Sequence, residues 1–166
     1  MTLNCNTTNF GRCMRGFASV ATLTAASVML SAHQTATYTD SSVLVTFGDI
    51  PSYWCFVFAN YLISAYGTLL VFLPRKSQLW QLVVALDSVL VVILSSSCSA
   101  ALAVGLIERN GIPHARWESI YHQVPSYCAR ILSACGIGFV GVVIYLLLLL
   151  LALQAEFNSI LIDITL

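Results

Sequence analysis

Residues Leu79–Ile107 read LWQLVVALDSVLVVILSSSCSAALAVGLI, a nearly unbroken apolar run with a single ionisable group, Asp87, inside it. A membrane span needs roughly 20 predominantly apolar residues at ~1.5 Å rise each, so this stretch is long enough to cross a bilayer. A carboxylate placed there costs roughly 2.5–3.5 kcal/mol on insertion scales unless something offsets it. Asp87 therefore requires a partner from elsewhere in the chain. The run Ser95-Ser96-Ser97-Cys98-Ser99-Ala100-Ala101 adds a face of small side chains that another backbone can approach closely. Ser95, Ser96 and Ser99 are its candidate helix-packing positions.

Composition widens that reading to the whole chain. Of 166 residues, 58% are hydrophobic and 8% charged, where soluble proteins carry about 25% charged residues. A single membrane domain, residues 1–166, follows. The net charge is zero and only seven Lys and Arg are present. They are too few and too scattered for a nucleic-acid partner, which needs clustered cations. Of six cysteines only Cys128 sits in a plausible polar loop, so most read as small packing residues and not as a disulfide framework.

Four spans are predicted, at about 14–32, 52–73, 79–107 and 130–153. The first opens behind Arg12 and Arg15, whose long side chains reach back to the interface. The same pattern of basic residues, apolar run and Leu30-Ser31-Ala32 also resembles a signal peptide, but the run is long for one and Leu30 is a poor residue at the cleavage position. Residues 33–51 form a polar loop without Lys or Arg, and Tyr53 and Trp54 begin an aromatic belt at the second span. Pro74-Arg75-Lys76 stops that span, and the short turn at 74–78 makes the second and third spans an antiparallel hairpin. Asn110-Gly111-Ile112-Pro113 signals a turn in a second polar loop, residues 108–129, with Trp117, Tyr121 and Tyr127 as interfacial aromatics. From Gln154 onward a short tail carries Glu156 and Asp163.

Basic residues orient the bundle. Arg12, Arg15, Arg75 and Lys76 lie on the side of the termini, and Arg109, Arg116 and Arg130 on the other. With no basic residue in the first loop, the bias places both termini and 74–78 in the cytoplasm and loops 33–51 and 108–129 outside. The sequon Asn6-Thr7-Thr8 should then stay unglycosylated.

Asp87 finds its candidate partner in Arg15. Asp87 lies eleven residues past Lys76, or ~16 Å along the third span. If the first span packs beside the third, Arg15 and Asp87 meet in the inner half of the membrane as a structural ion pair that fixes helix register. The alternative is a proton or ion relay in a small-solute channel or transporter subunit. One carboxylate without further intramembrane polar partners suits that alternative poorly.

Other motifs carry less chemistry. Gly136-Ile137-Gly138-Phe139-Val140-Gly141 is a literal GxGxxG, yet it sits inside an apolar span, with no preceding strand and no phosphate pocket. Ala134, Gly138 and Gly141 read instead as small residues that admit a neighbouring helix. His33, His114 and His122 are too dispersed for a metal site, and no Ser/His/Asp or Cys/His set is spaced for nucleophilic catalysis. The chain is therefore expected to be no enzyme and to hold no cofactor or metal, and its sequence identifies no small-molecule substrate. Cys5 and Cys13, just ahead of the first span, are palmitoylation candidates.

Taken together, Arg15 ahead of the Ala/Thr-rich run to Met29, Gly48-Asp49-Ile50-Pro51-Ser52-Tyr53 leading into Phe56-Val57-Phe58-Ala59-Asn60, Leu86-Asp87-Ser88, and Asn110-Gly111 with Trp117 form a pattern. The chain resembles the plant CASP-like proteins of the Casparian strip membrane family, which are similar to MARVEL-type tetraspan proteins. The resemblance implies an all-α four-transmembrane-helix bundle with cytoplasmic termini and the Arg and Asp of the family at Arg15 and Asp87. It also implies a multi-pass plasma-membrane scaffold that forms homo-oligomers, associates with related family members and recruits partners such as cell-wall-modifying machinery. The family often has two cysteines in the second outer loop. Here Tyr121 occupies the first position and only Cys128 remains, leaving Cys55 as the substitute partner for a disulfide. The first loop lacks the longer Phe-rich segment associated with strip-forming members.

Overall fold

The computed structural model describes residues 2–37, 42–72, 80–111, 114 and 119–165. In chain order it contains α1 (Thr2–Leu30), β1 (His33–Thr37), β2 (Ser42–Thr46), a short 3-10 turn (Phe47–Asp49), α2 (Pro51–Phe72), α3 (Trp80–Asn110) and α4 (Pro125–Thr165). All four α-helices are long and apolar enough to cross a membrane. Their apolar parts cover Phe10–Leu30 (21 residues), Pro51–Phe72 (22), Leu82–Asn110 (29) and Pro125–Ala155 (31). Arg75, Lys76, Ile112, Pro113, Arg116 and Trp117, as well as Asp40, lie outside the described residues.

Local chemistry sets the helix boundaries. Pro51 and Pro125 each open a helix at its first position, where a missing N–H costs nothing and φ is already helical. At the end of α3, Gly111 takes φ 69° and donates its N–H to the Ile107 carbonyl at 2.8 Å, the left-handed exit that glycine accepts without penalty. α1 begins well before the expected span, at Thr2, and α4 continues as helix to Thr165 where a tail was expected from Gln154.

The helices form a ring in which α1 packs on α2 and α4, and α3 packs on the same two. α1 and α3 thus stand across the diagonal, which corrects the expectation that the first and third spans are neighbours. The buried stripe of α1 is Arg15, Ala18, Ser19, Thr22, Ala25, Ala26 and Met29, a spacing of three and four that keeps one helix face inward. Its small members let α2 and α4 come close. A Cβ on Gly141 of α4 would lie 2.9 Å from Thr22 Cγ2, the close approach on which membrane helix packing depends. Hydroxyls on this helix are satisfied internally, with Thr22 bonding the Ala18 and Ser19 carbonyls and Thr24 and Ser27 bonding carbonyls four residues back.

The first polar loop is not irregular. β1 and β2 pair antiparallel, with His33 opposite Thr46 and Thr35 opposite Leu44. The inward side of this hairpin carries Gln34, whose Oε1 accepts the Tyr127 N–H of α4 at 3.0 Å, and Val45, which packs against the core. Leu44 faces out. Thr46 and Asp49 close a reciprocal cap at the following turn, where the Asp49 carboxylate accepts from the Thr46 N–H at 2.9 Å and from its hydroxyl at 3.2 Å.

Candidate functional site

The most polar part of the bundle interior is organised by two residues from opposite corners. Arg15 comes from α1 and Asp87 from α3, and they are 6% and 2% exposed. The guanidinium meets the carboxylate through both of its terminal nitrogens: Nη1 donates to Oδ1 at 3.2 Å and Nη2 contacts Oδ2. This parallel fork is the strongest geometry an Arg–carboxylate pair adopts, and it fixes orientation as well as distance. The diagonal is bridged because the arginine side chain is long and the stripes around it are small.

Around the pair, hydroxyls sew the remaining helices together. Ser19 Oγ bonds the Arg15 carbonyl at 2.9 Å, and Ser64 Oγ of α2 bonds the Ser19 carbonyl at 2.9 Å. Tyr145 of α4 donates to the Ile63 carbonyl at 3.2 Å, and Tyr66 of α2 to the Val83 carbonyl of α3 at 3.3 Å. Gly67 sits among these groups. A Cβ there would fall 2.2 Å from the Tyr145 hydroxyl and 2.3 Å from Ser19 Oγ, so only glycine fits without displacing them. Four helices thereby share one polar layer around a buried ion pair.

A second polar contact lies near the other end of α3. Tyr53, fully buried in α2, donates its hydroxyl to the Glu108 carboxylate. The Glu108 carbonyl in turn accepts the Ile120 N–H at 3.1 Å. Arg130 Nη1 of α4 bonds the Ser31 carbonyl beyond α1 at 2.6 Å, and the Arg109 guanidinium stacks 5.7 Å from the Tyr121 ring centre. Sequence reading assigned Tyr53 to an aromatic belt and gave Glu108 no partner. The signal it overlooked is an acidic residue at the last turn of a span facing a tyrosine at the first turn of its hairpin mate.

The candidate packing residues divide into two sets. Ala134, Gly138 and Gly141 face into the bundle, and a Cβ on Gly138 would press to 3.0 Å from both Cys98 Sγ and Phe56 Cε2. Gly136 has open space instead, so the glycines of the GxGxxG run do not act together. On α3, Ser96 and Ser99 point outward and Ser95 is half-buried, while Leu94, Ser97, Cys98 and Ala101 make the inward face. The small run therefore straddles two faces of the helix. Ser95 and Ser96 spend their hydroxyls on the Val92 and Ile93 carbonyls, both at 3.0 Å. Cys55 and Cys128 are both free thiols. Cys55 points out of the bundle and Cys128 into it, so the substitute disulfide is not made. His33, His114 and His122 are exposed, and Cys13 is an exposed thiol.

Residues 6–144 match the model of the Casparian strip membrane protein domain. The chain is 43% identical over 136 residues to CASP-like protein 1C2 of Vitis vinifera, covering 82% of this chain and 84% of the relative. It is 41% identical over 145 residues to CASP-like protein 1C1 of Arabidopsis thaliana, covering 87% and 88%. With CASP-like protein 1C3 of Populus trichocarpa it shares 37% over 148 residues, covering 89% and 86%. No solved structure matches. With the match spanning all four helices up to the polar layer of α4, this chain belongs to the Casparian strip membrane protein family as a multi-pass CASP-like membrane protein.

Proposed function

We propose that the protein is a plasma-membrane scaffold, a four-helix bundle that self-associates, organises a membrane domain and recruits partner proteins, including cell-wall-modifying machinery. Both termini face the cytoplasm in this reading, the hairpin loop and the 108–129 loop face outward, and homo-oligomers or mixed oligomers with family members are the working unit. Catalysis has no part in it. The observation that carries the reading is the sealed ion pair. Both Asp87 oxygens are engaged by Arg15 at 2% exposure, which suits a register lock and leaves no free carboxylate to hand a proton or cation along. Large apolar side chains on the outer faces of all four helices, among them Phe17, Phe58, Val92 and Val143, offer broad surface to lipid or to other copies.

The test is subunit counting by stepwise photobleaching in native-membrane nanodiscs, together with flux measurements on reconstituted protein. The scaffold reading expects more than one copy per disc and no Asp87-dependent flux. A strictly monomeric protein, or a current abolished by Asp87→Asn, would overturn it in favour of a solute pathway.

A further inference from the structure

The geometry points to the outer edge of β2 as the surface on which a second copy of this chain docks, strand to strand, about a two-fold axis through Leu44. This deepens the self-association reading above and rests on it. Thr46 gives its N–H to Asp49 and His33 gives its N–H to Ser31, while the Phe47 N–H reaches the Ala32 carbonyl at 3.1 Å. With His33 opposite Thr46, that pattern makes Gln34 and Val45 a mutually bonded pair. It also turns the backbone N–H and C=O of Leu44 away from β1. Among the described residues they meet no partner, and so form an open edge of the kind that templates pairing with another chain. The Leu44 side chain is 59% exposed, an aliphatic group on the outer face of the hairpin.

Three features select the partner and the strand. Gln34 sits over the first-turn amide of Tyr127, and such amides point outward along a helix axis. The inward face of the hairpin therefore lies across the end of the bundle, with the sheet plane crosswise to the helices. A two-fold axis normal to that sheet runs parallel to the helices, so it relates two copies that keep the same orientation in one bilayer. Antiparallel pairing of β2 with β2 is what this axis generates. Each Leu44 N–H then meets the Leu44 carbonyl of the other copy, giving a closed, self-complementary contact. The edge of β1 is the less open one, since β1 runs beside α4, where Tyr127 holds Gln34 and Arg130 holds Ser31.

Disulfide trapping tests this in native membranes, on full-length protein in which Cys5, Cys13 and Cys55 are changed to Ser. Facing residues of a bonded antiparallel pair have Cα atoms ~5.5 Å apart, within disulfide reach. Leu44→Cys is expected to give a covalent dimer under mild oxidation, and Thr35→Cys at least tenfold less. Leu44→Pro removes only the outward N–H and spares the ladder bonds within the hairpin. In the chain without the trapping cysteine it is expected to cut the dimer fraction, counted by stepwise photobleaching, at least threefold at unchanged membrane level. Trapping through Thr35→Cys alone, or none through Leu44→Cys in a protein that still counts as an oligomer, overturns the edge pairing and leaves self-association standing. A protein that counts as a monomer throughout overturns both.

Discussion

Two polar contacts hold α3 at its two ends, and they are built on different principles. Asp87 and Glu108 are 21 residues apart on one helix, or ~31 Å, about the thickness of a bilayer core. At Asp87 the contact is an ion pair across the diagonal of the bundle, buried on both sides and backed by hydroxyls from the remaining helices. At Glu108 it is a single hydroxyl–carboxylate bond between adjacent helices, with a half-buried acid. The difference is one of alternatives. Glu108 is half-buried and can turn to solvent if Tyr53 is lost, whereas Asp87 at 2% exposure cannot. The deep contact is therefore the one on which a unique arrangement of helices depends.

The largest effect should come from unbalancing the deep pair. Asp87→Asn or Arg15→Gln strands a buried partner, and a loss of roughly 3–5 kcal/mol is expected, read as a collapse of membrane yield and of thermal stability in detergent. Changing both, Arg15→Met with Asp87→Leu, should restore most of the stability, since well-packed apolar replacements of buried pairs are often neutral. A double variant as damaged as either single one would show that charge at this place does more than fix register.

Next in size is Gly67→Ala, which forces a methyl against the Tyr145 hydroxyl and Ser19 Oγ. A cost of about 1–3 kcal/mol is expected from overpacking, relieved in part by adding Tyr145→Phe. Thermal melts of the single and double variants check this, and equal melting points would show that the polar layer is looser than its geometry. Tyr53→Phe should cost only about 1 kcal/mol, the net worth of one hydrogen bond whose acceptor can rehydrate. A loss matching that of Asp87→Asn would erase the contrast between the two ends. The smallest change should be Gly136→Ala, on the open side of α4, with no loss and a gain of up to ~1 kcal/mol from helix propensity. A clear loss in subunit association there would instead mark this face as an interface between copies.

What the sequence revealed follows from how strongly the membrane penalises alternatives. Four long apolar runs have few ways to be satisfied other than as spans, and a lone Asp in one of them demands a cation. Arg15 was the basic residue placed to serve. What stayed hidden is long-range geometry. Nothing in the spacing of Arg15 and Asp87 says that their helices are diagonal, because that depends on Ser19, Gly67 and Gly141 letting α2 and α4 close around α1. The hairpin was overlooked since its strands have five residues each and β1 is polar but for Ala36. The run Val43 to Thr46, β-branched at every position but Leu44, was the available sign. The small run of α3 misled in another way, for consecutive serines in a helix spread over all its faces.

The described apolar stretches of α3 and α4, Leu82–Asn110 and Pro125–Ala155, run 29 and 31 residues, or ~45 Å in a straight helix, well beyond the ~30 Å hydrocarbon core of a bilayer. Helices of that reach are accommodated by tilting or by local thickening of the lipid around them. Because α3 and α4 pack on each other, a tilt of one is expected to carry the other with it.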